Sequence, residues 1–142
     1  FNFKKEDAGL LEKLREIYIS NPSRLAEVNV RIIKLVKDYL EIPTKLHIDE
    51  EVAGKKHELL ANICDKYGAK VYLSGRGALS YMSQDYLLEL EKRNVKNIFI
   101  DASQLSGYNN SIIHYILSEG KDKVNELLGN FKRESIPEMV SQ

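Results

Sequence analysis

The chain has 142 residues, of which 43% are apolar and 30% charged, with eight glycines and three prolines, and these values exclude a disordered, collagen-like or low-complexity protein. Its 21 basic residues balance its 21 acidic ones, so the basic excess with which nucleic-acid-binding proteins neutralise phosphate is missing. No apolar run reaches the roughly 18–20 residues that a membrane span needs, and one cysteine cannot form an internal disulfide. We expect a cytoplasmic protein and, because the chain begins at Phe1, a piece of a longer one.

The first third of the sequence carries two helical patterns. Apolar residues at helical spacing predict a helix over residues 5–19. Asn21-Pro22 then predicts the start of a second helix, because asparagine is a favourable N-cap and proline fits the first helical position. Pro43 ends this second helix.

The middle of the sequence alternates between strand and helix patterns. Residues 45–49, 70–73 and 97–101 have the composition of strands. A helix opens at Gly54 and closes at Gly68, which suits a left-handed cap; another helix precedes the third strand, and two more, separated by Gly120, follow it. Short connections between such elements imply right-handed crossovers. We therefore predict an α/β fold, with a parallel, Rossmann-like sheet of about three strands and helices on its faces, in a single domain over residues 1–142.

The loop after the second predicted strand is the strongest candidate site, since ligands of parallel sheets bind beyond the carboxyl ends of the strands. Gly75 and Gly77 let the backbone approach a ligand closely, and Ser74 offers a hydroxyl group. Arg76 is a bidentate donor suited to phosphate or carboxylate. The alternative is a turn that only reverses the chain, with Arg76 in solvent.

A pair of lysines follows the first predicted strand. Lys55 and Lys56 lie at a helix start, where cations are unfavourable unless a bound anion offsets them. The alternative is loose pairing with nearby acidic residues, namely Glu50, Glu51 or Glu58. His57, beside this predicted anion site, is the best candidate for proton transfer.

Further candidates lie at the strand ends. Asp49 and Asp101 follow the first and third strands, so all three loops are expected to converge at one edge of the sheet. Tyr81 flanks the glycine loop, where its ring could stack on a ligand or pack in the core. One cysteine and three scattered histidines give no spacing for a structural zinc site, and we expect no cofactor.

Several motifs resemble those of one protein family. They are Gly54-Lys55-Lys56-x-x-x-Leu60, Cys64, Gly68-Ala69, Tyr72-Leu73-Ser74-Gly75-x-Gly77-Ala78-x-x-Tyr81, Ser111-Ile112-Ile113 and Glu119-Gly120. Together they look like the WbqC-like proteins of bacterial surface-polysaccharide loci, over about residues 25–120, and the Tyr-Leu-Ser-Gly-x-Gly run is the most specific part. The family's usual opening segment with His-Gln-Pro is absent, and His114 stands where the family tends to carry aspartate.

The resemblance implies a cytoplasmic protein of O-antigen or capsule biosynthesis that transfers a small acyl or aminoacyl group to a nucleotide-linked amino sugar. The alternative is a non-catalytic ligand-binding or scaffolding domain that assists other polysaccharide enzymes. Because the family's opening segment is absent, we expect this chain alone to bind a phosphate-bearing ligand without turnover. Homodimers are one way to cover apolar faces that the absent part would otherwise dock on.

Overall fold

The structure is a computed structural model that describes residues 8–49, 51–75, 78, 84–100 and 107–134, without the side chains of residues 84 and 130–134. The helices are α1 (Ala8–Ile19), α2 (Leu25–Tyr39), α3 (Lys56–Lys66), α4 (Gln84–Glu91), α5 (Ile112–Glu119) and α6 (Lys121–Glu134), and the strands are β1 (Val71–Gly75) and β2 (Lys96–Ile100). Within these described ranges, each helix is too short or too polar to cross a bilayer.

The chain divides into two compact units, with boundaries after Leu46, after Gly107 and, within α6, after Asn130. The first unit contains α1, α2, α5 and most of α6, and the second contains α3, β1, α4 and β2. That the two units form a single domain over residues 1–142 stays a prediction.

The core of the first unit comes from the apolar stripes of its four helices, because each helix buries the face on which its apolar residues recur. The buried members are Leu10, Leu14, Val36, Leu40, Ile116, Leu117 and Val124. Gly120 separates α5 from α6, as predicted, with a positive φ of 94°.

Asn21 ends α1 instead of capping α2, so the prediction for Asn21-Pro22 is wrong. Asn21 has a φ of 48°, and its N–H donates to the carbonyl of Tyr18 at 3.3 Å. Asparagine tolerates this left-handed conformation at a helix end, and proline commonly follows because it cannot continue the helix. The cap position of α2 falls to Arg24, without a side-chain cap bond.

The second unit is built on the parallel pair of β1 and β2, with Val71 opposite Lys96 and Gly75 opposite Ile100. Its buried core residues are Ala61, Cys64, Leu90 and Val95, with Tyr72 and Tyr86 packed against them. Gly68 caps α3 at a φ of 60°, as predicted. The N–H of Ala69 donates to the carbonyl of Cys64 at 2.8 Å, as in a Schellman motif.

Residues 45–49 do not form the predicted first strand and are irregular, so the described sheet has two strands instead of about three. Their apolar side chains, Leu46 and Ile48, are 40% and 53% exposed. A strand that precedes α3 in a parallel sheet would end near the start of that helix. Asp49 instead pairs with Lys66, at the end of α3, which places this segment at the wrong end of the helix for strand pairing.

Candidate functional site

The carboxyl ends of β1 and β2 lie side by side, because Gly75 and Ile100 are partners in the strand register. The two loops on which the sequence places candidate residues therefore leave one edge of the sheet at the same level. Arg76, Gly77, Tyr81 and Asp101 lie outside the described residues, and their predicted roles stay predictions.

Ser74 is buried at 3% exposure, and its hydroxyl donates to Oδ1 of Asn97 at 2.7 Å. This bond links the two strands on the face that carries Tyr72 and the core. Asn97 Nδ2 is also buried and has no hydrogen-bond partner among the described residues. The sequence singled out Ser74 as a ligand contact, but the structure shows its hydroxyl engaged within the sheet.

Gly75 is not required by the fold of the described residues. Its φ lies outside the left-handed region, and no atom of the described residues lies within 4 Å of the place that a Cβ would occupy. Gly54 is different, because its φ is 118° and an added Cβ would lie 2.9 Å from the backbone nitrogen of Leu59. The open space beside Gly75 therefore lies at a strand end where a ligand could approach the backbone.

The start of α3 carries the predicted lysines. Lys55 is the N-cap residue, and Lys56 is the first helical residue, with a φ of 53°. Both side chains are exposed, and neither forms an ion pair with a described residue. The alternative of pairing with Glu51 or Glu58 is therefore not seen in this part of the chain.

His57 is half-buried in the first turn of α3. Its ring has no hydrogen bond to a described residue, and no ion pair or hydrogen bond in the described ranges joins it to Ser74. A general base normally needs a second group that orients its ring. Among the described residues His57 has no such group, and its role as a base stays a prediction.

Asp49 lies at the end of α3, and residues 51–55 run back along this helix to its start. Asp49 Oδ1 lies 3.0 Å from Lys66 Nζ, and Asn62 Nδ2 donates to the carbonyl of Ala53 at 2.9 Å. Burial raises the pKa of Asp49, but hydrogen bonds from Lys66 and from the Glu51 N–H outweigh it and lower that pKa below its ordinary value. The sequence predicted that Asp49 lies at the carboxyl end of a strand. It lies instead at the end of α3, so this prediction is wrong.

Arg93 holds α3 and α4 together. Its guanidinium group donates to Asp65 at 2.8 Å, to Glu89 at 2.6 Å and to Asn62 at 3.1 Å. Because Asn62 also holds Ala53, this network supports the segment that carries Lys55. Sequence analysis missed the long-range contacts of Arg93 and Asn97, because no local motif reveals partners 23, 28 and 31 residues away.

Cys64 is buried in the core of the second unit, as its place on the apolar stripe of α3 indicates. Burial raises the pKa of its thiol, so the reactive thiolate is disfavoured. Among the described residues, no group of three or more His, Cys, Asp or Glu side chains could hold a metal ion.

A family model described as the WbqC-like protein family matches residues 8–125. The chain belongs to this family. The resemblance found in the sequence motifs is thereby confirmed, and the match covers most of the chain.

One relative is an uncharacterised protein of Mycobacterium tuberculosis, which is 35% identical over 89 residues. This stretch covers 61% of the chain but only 38% of that protein. No solved structure matches the chain.

Proposed function

We propose that the chain is part of a cytoplasmic transferase of bacterial O-antigen or capsule biosynthesis, and that the strand-end loop of β1 binds a phosphate-bearing ligand, a nucleotide sugar. The observation that carries this proposal is Gly75, which neither the backbone conformation nor the packing of the described residues requires. Its position at the carboxyl end of a parallel strand is where such sheets bind ligands.

The proposed anion contacts come from the backbone at Gly75 and from Lys55 or Lys56 at the start of α3. The connection from α3 to β1 is short. The 11 residues of α3 and the five residues of β1 each span roughly 16–17 Å, so the helix and the strand have the same length. If α3 packs antiparallel to β1, its first turn lies on the same side as Gly75. Arg76, Gly77, Tyr81 and Asp101 complete the proposed site, while Ser74 supports it through Asn97.

The proposed reaction is acyl or aminoacyl transfer to an amino sugar. The sugar's amine nitrogen attacks the carbonyl carbon of an activated acyl donor, the leaving group departs from that carbon with its bonding electrons, and His57 accepts the amine proton. The alternative is a non-catalytic ligand-binding or scaffolding role, and the lack of an orienting group for His57 among the described residues favours it.

The test is calorimetric titration of a nucleotide sugar against the wild-type chain and Gly75→Val. We expect the variant to bind at least about tenfold more weakly, because its side chain fills the open space, while its melting temperature stays close to that of the wild type. Gly9→Val is the matched control, since Gly9 also has no atom of the described residues within 4 Å of an added Cβ. Equal affinity in Gly75→Val and the wild type would contradict the proposal.

Lys55→Gln and Lys56→Gln belong in the same titration. Each should weaken binding and change the free energy of unfolding by no more than about 0.5 kcal/mol, because both side chains are exposed and neither pairs with a described residue. Lys34→Gln, on the exposed side of α2, is the control. Lysines without a role in binding would leave the affinity unchanged.

A further inference from the structure

A groove of about 520 Å³ lies in the first unit, lined by α1, the end of α2 and the start of α6. Its lining residues are Lys13, Leu35, Asp38, Tyr39, Glu41 and Lys121. Sites for small molecules have volumes of about 300–1,000 Å³ and combine an apolar surface with a few convergent polar groups. Leu35 and the Tyr39 ring supply the apolar surface here, and the other four residues are charged.

The charged residues of the groove are two cations and two anions. Lys121 Nζ lies 2.7 Å from Glu41 Oε1 and 5.7 Å from the centre of the Tyr39 ring. Lys13 has no ion pair or hydrogen bond with a described residue. The Asp38 carboxylate forms an ion pair with the neighbouring Lys37, whose Nζ lies 3.4 Å from Oδ1. Among the described residues, Lys13 is therefore left without a partner, and Asp38 has a long ion pair to a residue outside the groove.

Glu41 occupies a position where a glycine or asparagine is normally found. It follows the end of α2 with a φ of 56°, and its N–H donates to the carbonyl of Asp38 at 3.1 Å. A side chain in this left-handed conformation is sterically unfavourable. A carboxylate is also unfavourable near a helix carboxyl end, as an ammonium group is at the start of α6. Glu41 is therefore unfavourable both in its backbone conformation and in its charge at a helix carboxyl end. Lys121 is unfavourable only in its charge at a helix start.

We propose that this groove binds a small zwitterion, a free α-amino acid. Its carboxylate contacts Lys13 and Lys121, the two cations among the lining residues of the groove. Its ammonium group contacts Asp38 and Glu41, and its side chain lies against the Tyr39 ring. A balanced set of two positive and two negative groups suits a dipolar ligand better than a pure anion or a pure cation. These residues all belong to the first unit, so the proposal does not depend on phosphate binding in the second.

The test uses the 142-residue chain and NMR titration with the free amino acids up to millimolar concentration. We expect at least one amino acid to shift the amide signals around Lys13, at the end of α2 and at the start of α6. The tightest amino acid is then compared with its decarboxylated amine, which lacks the carboxylate, and with its N-acetyl derivative, which lacks the ammonium group.

Two variants assign the two ends of the ligand. Lys13→Gln should weaken binding of the amino acid about tenfold and leave its decarboxylated amine unaffected. Asp38→Asn should weaken the amino acid similarly and leave its N-acetyl derivative unaffected. Lys34→Gln and Glu16→Gln, exposed on α2 and α1 outside the groove, are the matched controls. Circular dichroism checks that every variant is folded.

Three outcomes would overturn the proposal. The first is that no amino acid shifts any signal at millimolar concentration. The second is that the shifts lie away from the groove. The third is that Lys13→Gln and Asp38→Asn bind as tightly as the two control variants.

Discussion

The hydroxyl of Ser74 serves the sheet, and Gly75 beside it is left unused by the sheet's packing. Ser74 donates to Asn97 across the strand pair, and this bond satisfies a hydroxyl that is 3% exposed. A buried polar group without a partner lowers stability. Removal of the Ser74 or the Asn97 side chain should therefore destabilise the pairing of β1 with β2. The contacts of the sheet thus account for Ser74 but not for the glycine that follows it.

The carboxylate of Glu89 accepts hydrogen bonds from two cationic side chains, Lys92 and Arg93. Hydrogen bonds from Lys92 and from Arg93 lower its pKa from 4.5 to about 2. Because its pKa is lower in the folded chain, the stabilisation it provides is complete above about pH 4.5 and is lost as the pH falls towards 2.

We therefore predict that Glu89→Gln flattens the dependence of stability on pH between about 4.5 and 2. Urea unfolding at a series of pH values measures this. Glu91→Gln is the matched control on the same helix, since the Glu91 carboxylate has no partner among the described residues. An identical acid dependence in Glu89→Gln and the wild type would show that the hydrogen bonds of Glu89 do not contribute.

Residues 45–49 are irregular, so the described sheet has two strands and not three. Its alternating pattern is that of a strand, yet Ile48 is 53% exposed and Asp49 is held at the end of α3. A strand of the sheet would bury one of its faces, whereas an irregular segment can leave alternate apolar residues in solvent.

We predict that Ile48→Ser changes the free energy of unfolding by no more than about 0.5 kcal/mol. Leu90→Ala, which empties a side chain that is 1% exposed, should cost about 2–5 kcal/mol. Urea denaturation of both variants tests this. A cost above about 1 kcal/mol for Ile48→Ser would indicate that the segment packs as a strand.

The elements that the sequence predicted well have long apolar stripes or a strong cap. α1, α2 and the turn at Gly68 are of this kind, because periodic burial and a left-handed glycine are local signals. The failures come from signals with two readings. Asn21-Pro22 is compatible both with the end of one helix and with the start of the next. The alternation of apolar residues at 45–49 does not show whether this segment contacts the start or the end of α3.

The candidate site was predictable only as far as the ends of its strands. The sequence located Gly75 and the lysines at the start of α3, since turns and helix starts are local features. It could not show that Ser74 is buried against Asn97, because their bond depends on the register of two strands 23 residues apart.

At the scale of the whole molecule, the chain matches the WbqC-like protein family over residues 8–125. Its match spans 38% of the mycobacterial relative, so the activity of a full-length protein remains a proposal. His57 is the candidate base of that activity, and in the described ranges it has no orienting partner.

We predict that the chain alone binds nucleotide sugar but does not catalyse transfer. Mass spectrometry after incubation with a nucleotide amino sugar and an activated acyl donor should detect no acylated product. If activity is found, the same assay with His57→Ala tests whether it depends on His57. His47→Ala is the control, because His47 is an exposed histidine. Acyl transfer that is abolished only in His57→Ala would contradict the prediction and make His57 the centre of the mechanism.

The lone thiol of the sequence, Cys64, is a natural reporter on the second unit. It lies at 5% exposure among Ala61, Leu90 and Val95, so a thiol reagent reaches it only when this core opens. The labelling rate in native buffer therefore follows the opening of α3 from α4, with no engineered probe and no signal from the helices of the first unit. Compared with the rate of global unfolding, it distinguishes a chain whose two units open separately from one that opens as a whole.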